Sequence, residues 1–230
     1  MIDWHSHILP DMDDGSRDVA ESLAMLAAEA SQGVDTVIAT PHFYANDESV
    51  ADFMERRSEA WKQLKAQLPV GSPEILLGAE VKYYQGISRL AELQDLRIQG
   101  SKLLLLEMPV DHWTEYTIRE LTELSGKSGI KIVLAHIERY LRMQKASVWH
   151  RLYESGILMQ ANASFFVACT TKHRALSLLA EGGIHFIGTD CHNMTSRAPR
   201  IAKTVAIIDK KFGEGYVNQM DGYGKALLAR

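Results

Sequence analysis

Short apolar runs recur along this sequence, and nearly every one hands over, in the same direction of travel, to an imidazole or a carboxylate. After an opening Asp3-Trp4-His5-Ser6-His7 come Thr36-Val37-Ile38-Ala39-Thr40-Pro41-His42, Ile75-Leu76-Leu77-Gly78-Ala79-Glu80, Leu103-Leu104-Leu105-Leu106-Glu107, Ile132-Val133-Leu134-Ala135-His136 and His185-Phe186-Ile187-Gly188-Thr189-Asp190. Strands alternating with helical segments pair in parallel through right-handed crossovers. Parallel strands that end together collect their terminal groups at one face, where barrel enzymes place their chemistry.

The chain in order predicts a first strand over 1–7, a loop to Gly15, and a helix from Ser16 or Arg17 that stops at Gly33. A strand over 34–40 and an amphipathic helix from Ser49 to Leu68 follow, then a strand over 75–80 and short helical pieces between Ile87 and Leu96. The spacing then predicts a strand over 102–107, a helix over 114–125, a strand over 131–136, a helix over 138–154 and a strand over 157–162. Last come a helix over 172–181, a strand over 184–189, a helix with Pro199 in its first position running to Lys211, and one short helix with a tail. Seven strand-helix units are too many for a convenient small sheet, so the predicted fold is an α/β barrel of seven strands, with an open doubly wound sheet as the alternative. Residues 1–230 are expected to form one domain.

Composition removes several classes of function. A net charge of −4 and the absence of a basic block argue against extended nucleic acid as a partner. Two cysteines make no disulfide framework, and no apolar run approaches the roughly 20 residues needed to span a bilayer. A cytoplasmic protein without membrane insertion is expected.

The chemistry begins at His5 and His7, which point the same way on a strand and can close on one metal ion. Of nine histidines, five (His5, His7, His42, His136, His192) fall at strand ends, whereas His112, His150, His173 and His185 do not and are expected to be structural or solvated. Glu80, Glu107, Asp190 and the Asp13-Asp14 pair join the five, and burying so many ionisable groups unpaired would be costly. Imidazoles and carboxylates without thiolate suit zinc, manganese or iron, and several carboxylates favour the harder ions. The ligands exceed what one ion uses. Two or three cations about 3.5–4 Å apart could clamp a phosphoryl group, with a bridging water acidified by the metals as nucleophile. Arg139 and Arg197 are placed to hold the phosphate oxygens.

Aromatics near the strand ends (Trp4, Phe43, Tyr44, Trp113, Tyr83, Tyr84, Phe165, Phe166) are candidates for a slot that takes a phenyl ring. Cys191 and Arg197 satisfy the Cys-x5-Arg spacing of thiolate phosphatases, but the five residues between them contain no glycine. Metal-assisted hydrolysis is therefore preferred.

The motifs Asp3-Trp4-His5-Ser6-His7-Ile8-Leu9-Pro10, Asp13-Asp14-Gly15, Ala39-Thr40-Pro41-His42, Gly78-Ala79-Glu80, Ala135-His136-Ile137-Glu138-Arg139-Tyr140 and Thr189-Asp190-Cys191-His192-Asn193 resemble the polymerase-and-histidinol-phosphatase (PHP) family. Within it they are most similar to the bacterial manganese-dependent protein tyrosine phosphatases of capsular and exopolysaccharide systems. The resemblance implies a distorted, TIM-like (β/α)7 barrel and a trinuclear site, most simply of Mn2+, with Fe or Zn as alternatives. By analogy His5, His7, Glu80 and Asp190 hold one ion, Glu80, Glu107 and His136 a second, and Asp14 (favoured over Asp13), His42 and His192 a third. Arg139 and Arg197 match the family's phosphate-binding arginines. The implied substrate is phosphotyrosine on a tyrosine autokinase that controls polysaccharide export. A small-molecule phosphomonoesterase such as a histidinol phosphatase, and a non-catalytic metal-dependent binding module, are the alternatives.

Overall fold

The computed structural model describes residues 1–126 and 129–229. Among them the strands are β1 (Ile2–Ser6), β2 (Thr36–Ala39), β3 (His42–Phe43), β4 (Glu74–Leu77), β5 (Glu80–Lys82), β6 (Leu103–Glu107), β7 (Lys131–Leu134), β8 (Leu158–Asn162) and β9 (Phe186–Gly188). The helices are α1 (Val19–Ser31), α2 (Val50–Lys65), α3 (Glu115–Ser125), α4 (Ala146–Glu154), α5 (Ala163–Val167), α6 (Lys172–Ala180), α7 (Ala202–Phe212) and α8 (Tyr216–Leu228).

Every strand pairing is parallel, in the orders β1-β2-β4 and β3-β5-β6-β7-β8-β9. β3 continues β2 after a break at Thr40-Pro41, and β5 continues β4 after a break at Gly78-Ala79, which reduces nine strands to seven positions around the sheet. A parallel bridge between Ser6 and Cys191, with His7 N–H donating to Cys191 O at 2.9 Å and Asp190 N–H to His5 O at 2.8 Å, joins the last strand to the first. The expected distorted (β/α)7 barrel is the fold observed, and the open-sheet alternative falls.

Two layers of apolar packing hold it. Residues on the outer strand faces (Val37, Ile75, Leu104, Leu106, Ile132, Leu134, Ile187) pack with the helices, and a smaller inner cluster of Ile2, Trp4, Ile38, Leu103, Leu105, Val133, Leu158 and Phe186 fills the barrel. α8 closes that inner cluster through Leu227. It can do so because residue 224 is glycine: a Cβ there would lie 2.1 Å from Trp4 Cζ2. Local capping fixes the helix entries, with Asp18, Ser49 and Thr114 side chains accepting from Glu21, Asp52 and Thr117 N–H groups.

Several sequence-based boundaries move. The strand expected over 34–40 forms as β2, but the apolar run 36–42 and the strand expected over 75–80 are each broken, so His42 and Glu80 open new strands rather than close old ones. The segment 138–154 begins as a 3-10 turn over Ile137–Arg139 and becomes helical only at Ala146. α5 was not expected, because its five residues are too few to show a period. Pro199 precedes α7 and is not its first residue, and the glycine-containing C-terminus is a full helix of 13 residues.

Candidate metal centre

β1 delivers the first two imidazoles by an irregularity. Its register with β2 shifts between Asp3 and Ser6, so Trp4 can lie in the barrel interior while its neighbour His5 also turns inward. Gly188 on β9 leaves space for this: a Cβ there would sit 2.6 Å from His5 Cβ. His136 and Asp190, each just past its strand, adopt left-handed backbone with φ of 32° and 54°. Such conformations are uncommon for residues with a Cβ and occur where surrounding structure enforces them.

These elements bring every predicted ligand to one place. Glu80 is the hub, with its carboxylate 2.7 Å from His136 Nε2, 3.0 Å from His42 Nδ1, 3.2 Å from His5 Nε2 and 3.4 Å from His7 Nε2. Asp190 Oδ1 lies 3.6 Å from His5 Nε2 and 3.5 Å from His7 Nε2. Glu107 Oε1 is 3.7 Å from His136 Nε2 and falls in a further group with His42 and Glu80. Asp14 Oδ1 stands 3.4 Å from His42 Nε2 and 3.3 Å from His192 Nε2.

The Asp13-Asp14 pair divides its labour. Asp13 Oδ2 is 2.7 Å from His7 Nδ1 and accepts the His42 N–H at 2.7 Å, so it fixes His7 from behind. Asp14 is exposed and faces the cluster. Both histidines of the opening motif thus turn Nε2 inward, while His5 Nδ1 meets Gln160 Oε1 at 3.3 Å.

The donors fit divalent cations. Among the described residues, four groups of His, Asp and Glu atoms in this cluster each lie close enough to hold an ion: His7-Asp14-His42-His192, His5-His7-Asp190, His5-Glu80-His136 and His42-Glu80-Glu107. Buried His42 Nδ1 and His192 Nε2 make no hydrogen bond, although each is near a carboxylate. Ring nitrogens aimed at a common space without hydrogen-bond geometry suit coordination better than mutual pairing. The electrostatics agree. Burial alone would raise Glu80 and Asp190, yet His5 and the other imidazoles hold both carboxyls below their ordinary range. Burial opposes charge on His7, but Asp13 and the inner carboxylates raise it well above the usual imidazole value.

Supporting groups escaped the sequence reading. Gln160 Oε1 accepts the His136 N–H at 2.6 Å, Asn162 Nδ2 donates to Asp190 Oδ2 at 2.9 Å, and Tyr140 OH is 3.0 Å from His136 Nδ1. Lys82 Nζ donates to Glu107 Oε2 at 2.9 Å. The visible signal was two polar side chains, Gln160 and Asn162, at alternate positions of an otherwise apolar strand.

Arg139 and Arg197 converge from different loops on one carboxylate, each Nη2 donating at 2.8 Å to a separate oxygen of Asp190. At 37% and 38% exposure they form a solvent-facing rim over the buried cluster.

The remaining candidates lie elsewhere. His112, His150 and His173 are exposed, and His185 accepts the Met159 N–H on Nδ1. The aromatic slot does not form: Trp4 stacks on Phe186 inside the barrel, Phe43 packs on Phe53, Phe165 and Phe166 are buried, and Tyr83 OH donates to Glu120. Of the aromatics expected in the slot, Tyr44 borders the cluster, its ring 5.3 Å from that of His42. Cys191 faces α1, with Sγ 3.5 Å from Glu29 Oε1, and burial together with Glu29 pushes its thiol well up. A buried neutral thiol turned from the rim arginines is a poor nucleophile.

The family model for capsular polysaccharide synthesis, CpsB/CapC, matches residues 1–223. The tyrosine-protein phosphatase YwqE of Bacillus subtilis is 33% identical over 93% of this chain and 85% of its own length. The tyrosine-protein phosphatase CpsB of Streptococcus pneumoniae is 32% identical over 93% of this chain and 91% of its own. Crystal structures of YwqE and of the pneumococcal CpsB, metal-dependent tyrosine phosphatases, supply a fold match with TM-score 0.81 at 27% identity, covering 99% of this chain and 94% of the other.

Proposed function

Because the chain belongs to the CpsB/CapC family of capsular polysaccharide synthesis, we propose that it is a metal-dependent protein tyrosine phosphatase, with residues 1–230 acting as one barrel domain. The observation that carries this is a buried cluster of five imidazoles and three inner carboxylates roofed by two arginines that meet on Asp190.

His5, His7, Glu80 and Asp190 would hold one ion, Glu80, Glu107 and His136 another, and Asp14, His42 and His192 a third. Divalent cations held there would acidify water and offset phosphate charge. The several carboxylates support Mn2+ over softer ions, with Fe and Zn compatible with the imidazoles. Arg139 and Arg197 bind the non-bridging phosphate oxygens and stabilise charge as the P–O bond to the phenol breaks. Their planar donors need a fixed origin, which Asp190 supplies from below. Gln160, Asn162, Tyr140 and Asp13 keep the imidazoles and carboxylates aimed.

We further propose that the phosphoprotein is a tyrosine autokinase of polysaccharide export, which the family's link to capsule synthesis supports. A cytoplasmic setting is part of this proposal and agrees with two unpaired cysteines. Among the described residues no helix is long and apolar enough to cross a membrane. Assaying metal-loaded protein on phosphotyrosyl and phosphoseryl peptides and on histidinol phosphate tests the assignment. Preferred release of phosphate from the phosphotyrosyl peptide is expected; preference for histidinol phosphate, or no release from any ester, would overturn it.

A further inference from the structure

Two clefts border the cluster, and they differ in charge. One, of about 530 Å³, is lined by Arg139, Arg197 and Arg200 together with Ser164, Val167 and Ser196. Its two carboxylates are turned inward: Asp190 is bound by both rim arginines, and Glu138 accepts the Asn162 N–H. Arg200 is exposed, and among the described residues no carboxylate pairs with it. The second cleft, of about 360 Å³, is lined by Asp13, Asp14, Asp47 and Glu48 beside His42 and Tyr44; Asp13 is bound to His7, and Asp14 faces His42 and His192 and lies 3.6 Å from Arg197. Its one cation, Arg56, is already bound to Glu48 at 2.9 Å. Asp47 is exposed and carries no ion pair among the described residues.

A phosphotyrosine on the rim arginines must send its flanking chain over this asymmetric mouth. An acidic flank meets attraction on the Arg200 side and repulsion on the Asp47 side. Val167 adds apolar contact in the Arg200 cleft.

Resting on the tyrosine phosphatase assignment, we propose that Arg200 is a specificity-determining residue: it selects phosphoproteins carrying an acidic side chain on one flank of the phosphotyrosine and lays that flank in the Arg200 cleft. The opposite flank, over Asp47, favours neutral or basic residues. The selection is by charge at an exposed rim, so it is modest in size and sensitive to salt.

The test uses metal-loaded full-length protein and three phosphotyrosyl peptides: one neutral, one with glutamates before the phosphotyrosine and one with glutamates after it. The readout is the ratio of kcat/KM for each acidic peptide to that for the neutral one, so losses common to all peptides cancel. One acidic peptide should be favoured by about threefold to fivefold, chiefly through KM, at low salt. Arg200→Ala should bring that ratio to about one, Arg200→Glu should invert it, and Asp47→Lys should raise the ratio for the other acidic peptide. A preference that survives Arg200→Glu, or equal rates on all three peptides in the wild type, overturns the proposal for Arg200 alone. Absence of turnover on every phosphotyrosyl peptide overturns the phosphatase assignment itself.

Discussion

His5 Nε2 lies 3.1 Å from His7 Nε2, and both point at Glu80 Oε2 and Asp190 Oδ1. Two neutral imidazoles at that separation set lone pair against lone pair unless a proton or a cation lies between them. The carboxylates on either side make a cation the natural occupant.

Removing a group from this cluster should remove metal and activity together. Partners that merely orient ligands are worth about 10- to 100-fold in affinity or activity, so a direct ligand should exceed that. His136→Ala and Asp190→Ala are each expected to lower bound metal, counted by elemental analysis, and to cut turnover more than about a hundredfold. His150, exposed and paired with Glu154, serves as the control, and His150→Ala should change neither. Full activity in either ligand variant would contradict the assignment.

Adjacent aspartates should behave differently. Asp13 touches His7 Nδ1 and the His42 amide, whereas Asp14 faces His42 and His192. Asp13→Asn should weaken metal binding by about tenfold without changing the final stoichiometry. Asp14→Ala should lower the stoichiometry. Metal titrations followed calorimetrically distinguish the two, and identical behaviour would show that one of them is misplaced.

For the rim, Arg139→Ala should keep its metals while turnover falls about a hundredfold, the scale of losing one preorganised donor to developing charge. Steady-state kinetics beside a metal count provide the check. An unchanged kcat/KM would reduce Arg139 to an ion-pair partner of Asp190.

Cys191 is buried against Glu29 with a raised pKa, so Cys191→Ser should retain most turnover, while a chelator abolishes it. The reverse pair of results would restore thiolate chemistry.

Acid should destabilise the fold through a histidine remote from the site. Burial, with a contribution from Lys131, lowers His185 to about 4 from its ordinary 6.5, and its Nδ1 must stay unprotonated to accept the Met159 N–H. A folded value below the unfolded one means that the neutral ring stabilises the fold above pH 6.5, and that this contribution is lost as pH falls toward 4. The loss is at most about 3 kcal/mol. Thermal melts of wild type and His185→Asn at pH 7 and pH 4.5 should therefore converge at the lower pH; a gap that stays constant would show that His185 does not titrate across this range.

The barrel and the convergence of the proposed ligands were legible because strand alternation and handover residues are local patterns. Broken strands were not. Ala39-Thr40-Pro41-His42 and Leu77-Gly78-Ala79-Glu80 read as continuous runs, yet the break at Gly78 is held by Arg57, whose guanidinium donates to the Gly78 carbonyl from a distant helix. The C-terminal helix was expected only as a short one because glycines depress helix propensity. Gly224 is there to let α8 reach Trp4, a tertiary requirement that no local window contains. Trp4 shows the same limit: alternation alone puts it opposite His5, and the register shift in β1 lets both face inward.

The most direct measurement is to strip the protein of metal and add Mn2+ back stepwise, following bound ions and phosphotyrosine hydrolysis in one sample. Turnover should be absent at the start and rise with occupancy to a plateau at two or three ions per chain. Hydrolysis that persists in the stripped protein, or that is indifferent to the ions it binds, would contradict the account.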